Sequence, residues 1–364
     1  MWFTPNDLIK HKSIIIDDLE GYVLPHAGTK YTGAIFSHTL RFKPKKFFDN
    51  IIILYYPANQ SPNVRNKYYH EYYVVWKVLE YVIRYFWNIK RDISFEGINI
   101  RKGEKVGERI REKNSSLVIV SADFSHFLPL HRAIEEENCA SHAILQRELS
   151  VSCTKVVDII YSFKELYRII PKNFMLQWVG RTRSPGEKGV GYESFLIRRS
   201  PIPELKKPDG IFVTAYDKNM NQRECLGEWF TLSKRWNKEI ENQLIKKVIN
   251  LGKTTSRLTG GRNLEIPVTN YTITYLFKDS DNKFIRGWHG LRYKAFYLPD
   301  VFLENTFNNG KWIKPTDKVW PVGKHFNINE TLDKLTDKAG QYGSNQSSNI
   351  KYTLYSASEI HKKL

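Results

Sequence analysis

The chain has 364 residues, of which 41% are hydrophobic and 14% aromatic, a composition that favours packed globular folding in more than one domain. Its 56 lysines and arginines exceed its 38 acidic residues by 18, and the excess is shared equally, at 30 minus 21 in residues 1–200 and 26 minus 17 in residues 201–364. The sequence contains no apolar run of membrane-spanning length and no signal-peptide layout at residues 1–7, so we expect a soluble intracellular protein of the cytoplasm or an organelle matrix.

The positive charge has two interpretations. A basic surface spread over both halves favours a polyanionic partner, such as RNA or an RNA–protein assembly. A lysine-rich composition that serves only solubility, or that reflects an AT-rich genome, explains the same numbers. The charge balance therefore leaves both interpretations open.

The first candidate site follows an apolar stretch near the start of the chain. Residues up to Leu24 predict a buried strand, Pro25 ends it, and Gly28 allows a tight turn beside His26. A histidine at a strand end is a candidate metal ligand or proton carrier, and the alternative is a structural histidine capped by a carbonyl group. Residues 25–33, Pro-His-Ala-Gly-Thr-Lys-Tyr-Thr-Gly, resemble the signature that opens the Memo family, whose fold is related to that of the class III extradiol dioxygenases.

The next Memo landmark has only a partial counterpart. Residues 47–55 predict a second buried strand, and Asn59 and Gln60 follow it where the family pattern supplies a metal-binding histidine. Amide oxygens are weak ligands for a transition metal, so the metal site that the resemblance implies is degenerate. His70 precedes an amphipathic helix predicted over residues 74–86 and is either a replacement ligand, a substrate contact or a surface histidine.

Residues 117–127 predict a buried strand that runs into a turn. Asp123 and His126 lie just past the strand, where α/β proteins place their chemistry, and they resemble the Memo motif Ser-Ser-Asp-Leu-Ser-His. An aspartate and a histidine so spaced are candidates for a proton relay, in which the carboxylate fixes the imidazole tautomer. The alternative is that Asp123 caps the following helix.

The cysteines give one further candidate. Cys139, Cys153 and Cys225 show no CxxC spacing, which argues against a disulfide framework and against a structural zinc site. Cys153 precedes a helix predicted over residues 156–166, much as the ligand cysteine of the Memo family precedes a similar helix. A helix start favours the thiolate form of a cysteine.

Strands predicted at residues 174–179 and 189–197 close the first domain, which we place at residues 1–199. The Memo resemblance covers roughly residues 12–198 and implies an α/β domain, with a central sheet flanked by helices. It also implies a weakened non-haem iron or copper site, with His26, Cys153 and His70 as ligands and with Asp123 and His126 as catalytic residues.

A proline-containing linker at residues 200–208 precedes the second domain, at residues 209–364. Residues 211–216 and 223–227 predict two strands and resemble the Gly-Val-Phe-Val-Thr and Leu-Arg-Gly-Cys-Ile-Gly segments of the AMMECR family. That resemblance implies an α+β domain.

Three residues of the second domain are candidates for a pocket. Cys225 and His289 would form a thiol–base pair if they met across a sheet, and the alternative is a buried structural cysteine. Arg257, like Arg223 and Arg292, is a candidate anion contact or a surface charge.

The sequence therefore predicts a Memo–AMMECR fusion. The resemblance implies a metal-dependent oxidoreductase, similar to a non-haem dioxygenase, that acts on a nucleic-acid base or a small metabolite. The alternative is a catalytically inactive basic subunit that binds or supports an RNA–protein assembly.

Overall fold

The protein is described here by a computed structural model. The described residues are 2–58, 68–102, 115–157, 160–185, 188–199, 207–218, 222–254, 266–279, 289–293, 295–298, 306–308, 311–313 and 352–364. The chain is a mixed α/β protein with two compact units, and the first unit contains residues up to Arg199. Three of the residues discussed above, Asn59, Gln60 and Arg257, lie outside the described ranges, as does most of the predicted linker.

A mixed sheet organises the first unit. Among the described residues it has six strands, in the spatial order β5 (Ser94–Asn99), β4 (Asn50–Tyr55), β6 (Ser116–Ser121), β2 (Leu19–Leu24), β8 (Gly191–Arg199) and β7 (Phe174–Arg183). The first four of these strands run parallel to one another, and β8 is antiparallel to both β2 and β7. A separate short parallel pair joins β1 (Ile14–Ile16) to β3 (Phe42–Pro44).

The centre of this sheet is closely packed. Every residue of β4 and β6 is buried, as expected for parallel strands that are covered on both faces. Gly21 of β2 lies opposite Val118 of β6, and a Cβ atom at Gly21 would lie 1.8 Å from the Val118 carbonyl oxygen. The pairing of β2 with β6 therefore requires glycine at this position.

Helices pack against the sheet of the first unit. They are α1 (Thr29–Leu40), α2 (His70–Tyr81), α3 (Leu130–Leu145) and α4 (Ile160–Ile169). Helix α1 packs on β7 and β8, α2 on β4 and β6, α3 on β7, and α4 on β6. The sequence predicted one helix over residues 74–86, whereas α2 begins at His70 and continues into a π-helical turn, Val82–Phe86. No described helix is long and apolar enough to cross a membrane.

The second unit contains an antiparallel sheet. Its described strands lie in the order β10 (Gln222–Trp229), β9 (Gly210–Tyr216), β11 (Asn270–Lys278), β16 (Thr353–Lys363), β12 (His289–Tyr293) and β13 (Ala295–Tyr297). Helix α5 (Lys238–Thr254) packs on β9 and β10. A further hairpin pairs β14 (Thr306–Asn308) with β15 (Lys311–Ile313).

Alternation along the strands of this second sheet divides its residues between two faces. Val213 and Ile273 pack in one apolar cluster with Val248 of α5. Leu276 and Tyr355, which face the other way, belong to a second cluster. The sheet is therefore apolar on both faces.

Candidate functional site

The first unit brings three of the predicted site residues together at one edge of its sheet. His26 lies two residues past the end of β2, Asp123 two residues past the end of the adjacent strand β6, and His70 begins α2. The carboxyl ends of parallel strands meet at the same edge, where α/β proteins place ligands and catalytic groups. The group His26–Asp123–His70 is therefore the candidate functional site.

His26 is held on three sides. Its backbone N–H donates to Asp123 Oδ1 at 2.8 Å, and its ring Nε2 lies 3.5 Å from Asp123 Oδ2. Its ring Nδ1 lies 3.1 Å from Ser121 Oγ, and the Ser121 hydroxyl donates in turn to the Glu71 backbone oxygen at 2.6 Å. The His26 ring therefore lies between the Ser121 hydroxyl at Nδ1 and the Asp123 carboxylate at Nε2, and these contacts fix its orientation.

His70 lies beside His26 and is half-buried. The two ring centroids are 5.9 Å apart in an edge-to-face arrangement, and the Trp2 ring lies edge-on to His70 at 4.3 Å. Burial lowers the pKa of His70 and the neighbouring His26 lowers it further, while Glu71 and Asp123 oppose the shift. His70 is therefore neutral near pH 7 and able to accept a proton.

The predicted pairing of Asp123 with His126 is replaced in the structure by the contact with His26. His126 is part-buried, and its Nδ1 lies 2.9 Å from the Phe124 backbone oxygen. The alternative, in which Asp123 caps the next helix, also fails, because the residue before α3 is Pro129 and that helix has no side-chain cap. The backbone between residues 123 and 126 turns the two side chains to different partners.

Cys153 is bonded to Cys139, which corrects two expectations from the sequence. The 3₁₀ helix Ser152–Val156 packs on α3 and brings the two Cα atoms to 5.9 Å, within the range for a disulfide. The chain therefore has a disulfide, contrary to the argument from cysteine spacing. While the bond stands, the sulfur of Cys153 is not a thiolate and does not serve as the predicted metal ligand.

The described residues do not fit the metal site that the Memo resemblance implies. Both ring nitrogens of His26 face protein groups, Cys153 is oxidised, and Asn59 and Gln60 lie outside the described ranges. Across the described part of the chain, no three histidine, cysteine, aspartate or glutamate side chains are grouped to hold an ion. The chemistry that this geometry supports directly is proton transfer.

A buried ionic network, which the sequence analysis did not identify, links α3 to β7 and β8. Arg181 Nε lies 3.0 Å from Glu193 Oε1, and Arg183 Nη1 lies 3.7 Å from Glu137 Oε1. Burial raises the pKa of Glu193 to about 7, with Arg181 opposing the shift, and burial also raises the pKa of Glu137. Alternating arginines at positions 181 and 183 were the available sequence signal, because they lie on the same side of a strand.

The second-domain pocket predicted from the sequence does not form as expected. Cys225 is on the edge strand β10 and His289 is on β12, with three strands between them, so the two strands are about 19 Å apart at the usual strand spacing. The Sγ atom of Cys225 instead lies 3.3 Å from the Thr214 hydroxyl, which donates to it. The pairing failed because the two residues belong to strands that are not neighbours.

The two arginines that the sequence grouped with Arg257 have structural contacts. Arg223 is buried, and its Nε donates to the Gly252 oxygen at 3.3 Å, so it is not a surface anion contact. The guanidinium of Arg292 lies over the Trp229 ring at 4.2 Å.

Three residues of the candidate site were missed in the sequence. Ser121 is the polar last residue of an otherwise apolar strand, and Glu71 is adjacent to His70, so both had a local signal. Trp2 had none, because its contact with His70 spans 68 positions of the chain.

Comparison with known proteins assigns no family. No protein-family model matches the sequence, and no curated protein matches it significantly.

Proposed function

We propose that the first unit is an enzyme domain that moves a proton at the His26–Asp123–His70 group. The observation that supports this proposal is the meeting of these three side chains at the carboxyl edge of parallel strands. Asp123 is 4% exposed and contacts His26 through both carboxylate oxygens, so its role is to position that residue. His70 is the part of the group that a substrate can reach.

In the proposed reaction, the neutral His70 ring is the general base. It accepts a proton from a substrate held against the edge of the sheet, and the carboxylates of Glu71 and Asp123 stabilise the positive charge that develops on His70. The substrate class that the Memo resemblance suggests is a nucleic-acid base or a small metabolite. We also propose that the chain joins a Memo-like domain to an AMMECR-like domain.

The test is a search for turnover with matched variants. The purified chain is incubated with a mixture of nucleosides and small metabolites, and products are followed by mass spectrometry. Wild type and His11→Gln, which changes a histidine outside the group, should deplete the same compound, whereas Asp123→Asn and His70→Gln should slow that depletion by about 100-fold or more. Equal depletion by all four proteins, or none by the wild type, contradicts the proposal.

Metal-dependent redox chemistry is proposed only for the chain in which the Cys139–Cys153 bond is reduced. The oxidised chain lacks the thiolate that the resemblance requires, so it should retain no stoichiometric iron or copper after a chelator wash. The measurement is elemental analysis of oxidised and reduced protein after metal loading. Full retention by the oxidised chain refutes this and makes His70 the substitute ligand.

The net charge favours a second candidate function, that of a basic subunit that binds RNA. An excess of 18 positive charges, shared equally by both halves of the chain, suits a long polyanion. If lysines and arginines replace condensed cations on RNA, affinity falls log-linearly with salt concentration. Affinity that does not change with salt contradicts this candidate.

A further inference from the structure

A cavity in the first unit lies outside the His26–Asp123–His70 group and has no role in the proton-transfer proposal. It has a volume of about 370 Å³ and is bounded by α2, the π-helical turn Val82–Phe86 and the start of the edge strand β5. Ligand sites in proteins begin at roughly 300 Å³, so this volume suits a single small group rather than a large cofactor.

The wall formed by α2 carries a stripe of aromatic residues. Tyr72 and Trp76 are four residues apart and so lie on one side of α2, while Tyr68, two residues before the helix, and Arg84, in the π-helical turn, also line the cavity. Tyr72 and Trp76 are stacked, with ring centroids 5.8 Å apart and ring planes 21° apart, and Tyr68 lies edge-on to Trp76 at 5.3 Å. Tyr68 is 43% exposed, so the stripe opens to solvent at that residue, and the Lys77 ammonium lies over the Trp76 ring at 4.0 Å.

The charges around the cavity leave a positive excess. Glu80 is paired with Lys77 at 2.8 Å, so its charge is offset. Of the remaining lining groups, Arg84 and Arg91 are basic and Asp92 is acidic. The arginines therefore outnumber the remaining acid by one.

The two arginine side chains differ in the contacts that hold them. Arg91 donates to the Phe48 backbone oxygen at 2.6 Å, and its guanidinium lies 4.1 Å from the Phe47 ring centroid, so the side chain is fixed in place. Arg84 is exposed and makes no hydrogen bond or ion pair with a described residue. It belongs to the π-helical turn, a local departure from α-helical geometry that recurs at functional sites.

We propose that this cavity binds one nucleotide unit of a single-stranded nucleic acid, with the base against Tyr72 and Trp76 and the phosphate at Arg84. Every base has a π-face, so an aromatic platform beside a basic group is the arrangement that single-strand binders use. The proposal deepens the second candidate function by assigning RNA contact to a particular surface, and its own support is the cavity and its side chains.

The test is fluorescence-polarisation binding of a short labelled oligoadenylate to the full chain. Tyr72→Leu and Trp76→Leu should each weaken binding by roughly 5- to 150-fold, the range expected for loss of one stacked base. Arg84→Ala should weaken it and reduce its salt dependence. The matched controls are Tyr85→Leu, which removes an exposed tyrosine that does not line the cavity, and Lys90→Ala, which removes an exposed charge outside the lining.

A second readout does not depend on the stability of the variants. A strand that contains 4-thiouridine, irradiated in complex with the wild-type protein, should crosslink to the peptide that spans residues 68–84. Crosslinks confined to other peptides overturn the assignment.

The remaining outcomes distinguish binding at this cavity from RNA binding by the dispersed positive charge. Equal affinity of wild type, Tyr72→Leu and Trp76→Leu overturns the cavity assignment and leaves RNA binding to the dispersed charge. No oligoadenylate binding by the wild type at low salt overturns both. Displacement of the strand by AMP at equal concentration overturns the strand assignment in favour of a free nucleotide.

Discussion

The disulfide between Cys139 and Cys153 should contribute measurably to the stability of the first unit. It closes a loop with a sequence separation of 14 residues. The chain-entropy treatment gives about 3 kcal/mol for a loop of that size, because the cross-link removes conformations from the unfolded chain. That value is a large share of the roughly 5–15 kcal/mol by which whole domains are stable.

The assay is hydrogen exchange followed by mass spectrometry across a urea gradient, with and without reductant. Peptides from β2 and β8 report on the first unit, and peptides from β9 and β11, which contain no part of the disulfide, are the internal reference. Reduction should lower the free energy of unfolding seen by β2 and β8 by about 3 kcal/mol and leave β9 and β11 unchanged. The Cys139→Ala, Cys153→Ala double variant should match the reduced protein and show no response to reductant. If reduction leaves the β2 and β8 peptides unchanged, the cross-link does not constrain the unfolded chain and the reasoning is wrong.

Four further substitutions and measurements test contacts among the described residues. Gly21→Ala should destabilise the first unit by about 3 kcal/mol or more in urea unfolding, because the new Cβ meets a carbonyl oxygen at 1.8 Å. The control Gly28→Ala, whose Cβ would have its nearest contact at 3.4 Å, should cost less than about 1 kcal/mol. Similar costs for the two variants would contradict the β2–β6 register. Measured above pH 7, where Glu193 is ionised, Arg181→Met should cost about 3–5 kcal/mol because it leaves a buried carboxylate without its partner, and a neutral effect would refute the ion pair. Burial holds the pKa of Glu193 at about 7, above the ordinary 4.5, so the stability contributed by its protonated form is lost as the pH rises from 4.5 to about 7. A Glu193→Gln variant whose unfolding midpoint still falls over that pH range would show that Glu193 is not the group responsible. Cys225 should react with iodoacetamide no faster than a peptide thiol, because β9, the described strand that pairs with its own, contains no histidine to act as a base. Accelerated alkylation would restore it as a candidate nucleophile.

The strands of the first unit that form the centre of the sheet could be predicted from the sequence. Residues 51–54 and 117–120 are continuous apolar runs, and a run of that length signals a buried strand without any knowledge of its neighbours. The same local signals placed His26 and Asp123 at strand ends. The mixed α/β class follows from such elements in alternation with helical patterns.

The partners of the site residues could not be predicted, because they depend on which strands become neighbours. Asp123 contacts His26 since β2 and β6 are adjacent and in register, a relation between segments almost 100 residues apart. The disulfide depends likewise on the packing of a 3₁₀ helix against α3. The predicted pairing of Cys225 with His289 was wrong for the converse reason, because no local pattern in the sequence shows that three strands separate them.

The position of β16 in the sheet of the second unit has a consequence for how that unit forms during synthesis. Residues Thr353–Lys363 lie between β11 and β12, so the strand made last among those described is an interior one. Until it leaves the ribosome, β11 presents an unpaired edge, and exposed edges of this kind invite pairing with other chains. Stop codons or proteolytic cuts before residue 353 would therefore divide the sheet rather than trim its margin. Such truncated products should depend heavily on chaperones.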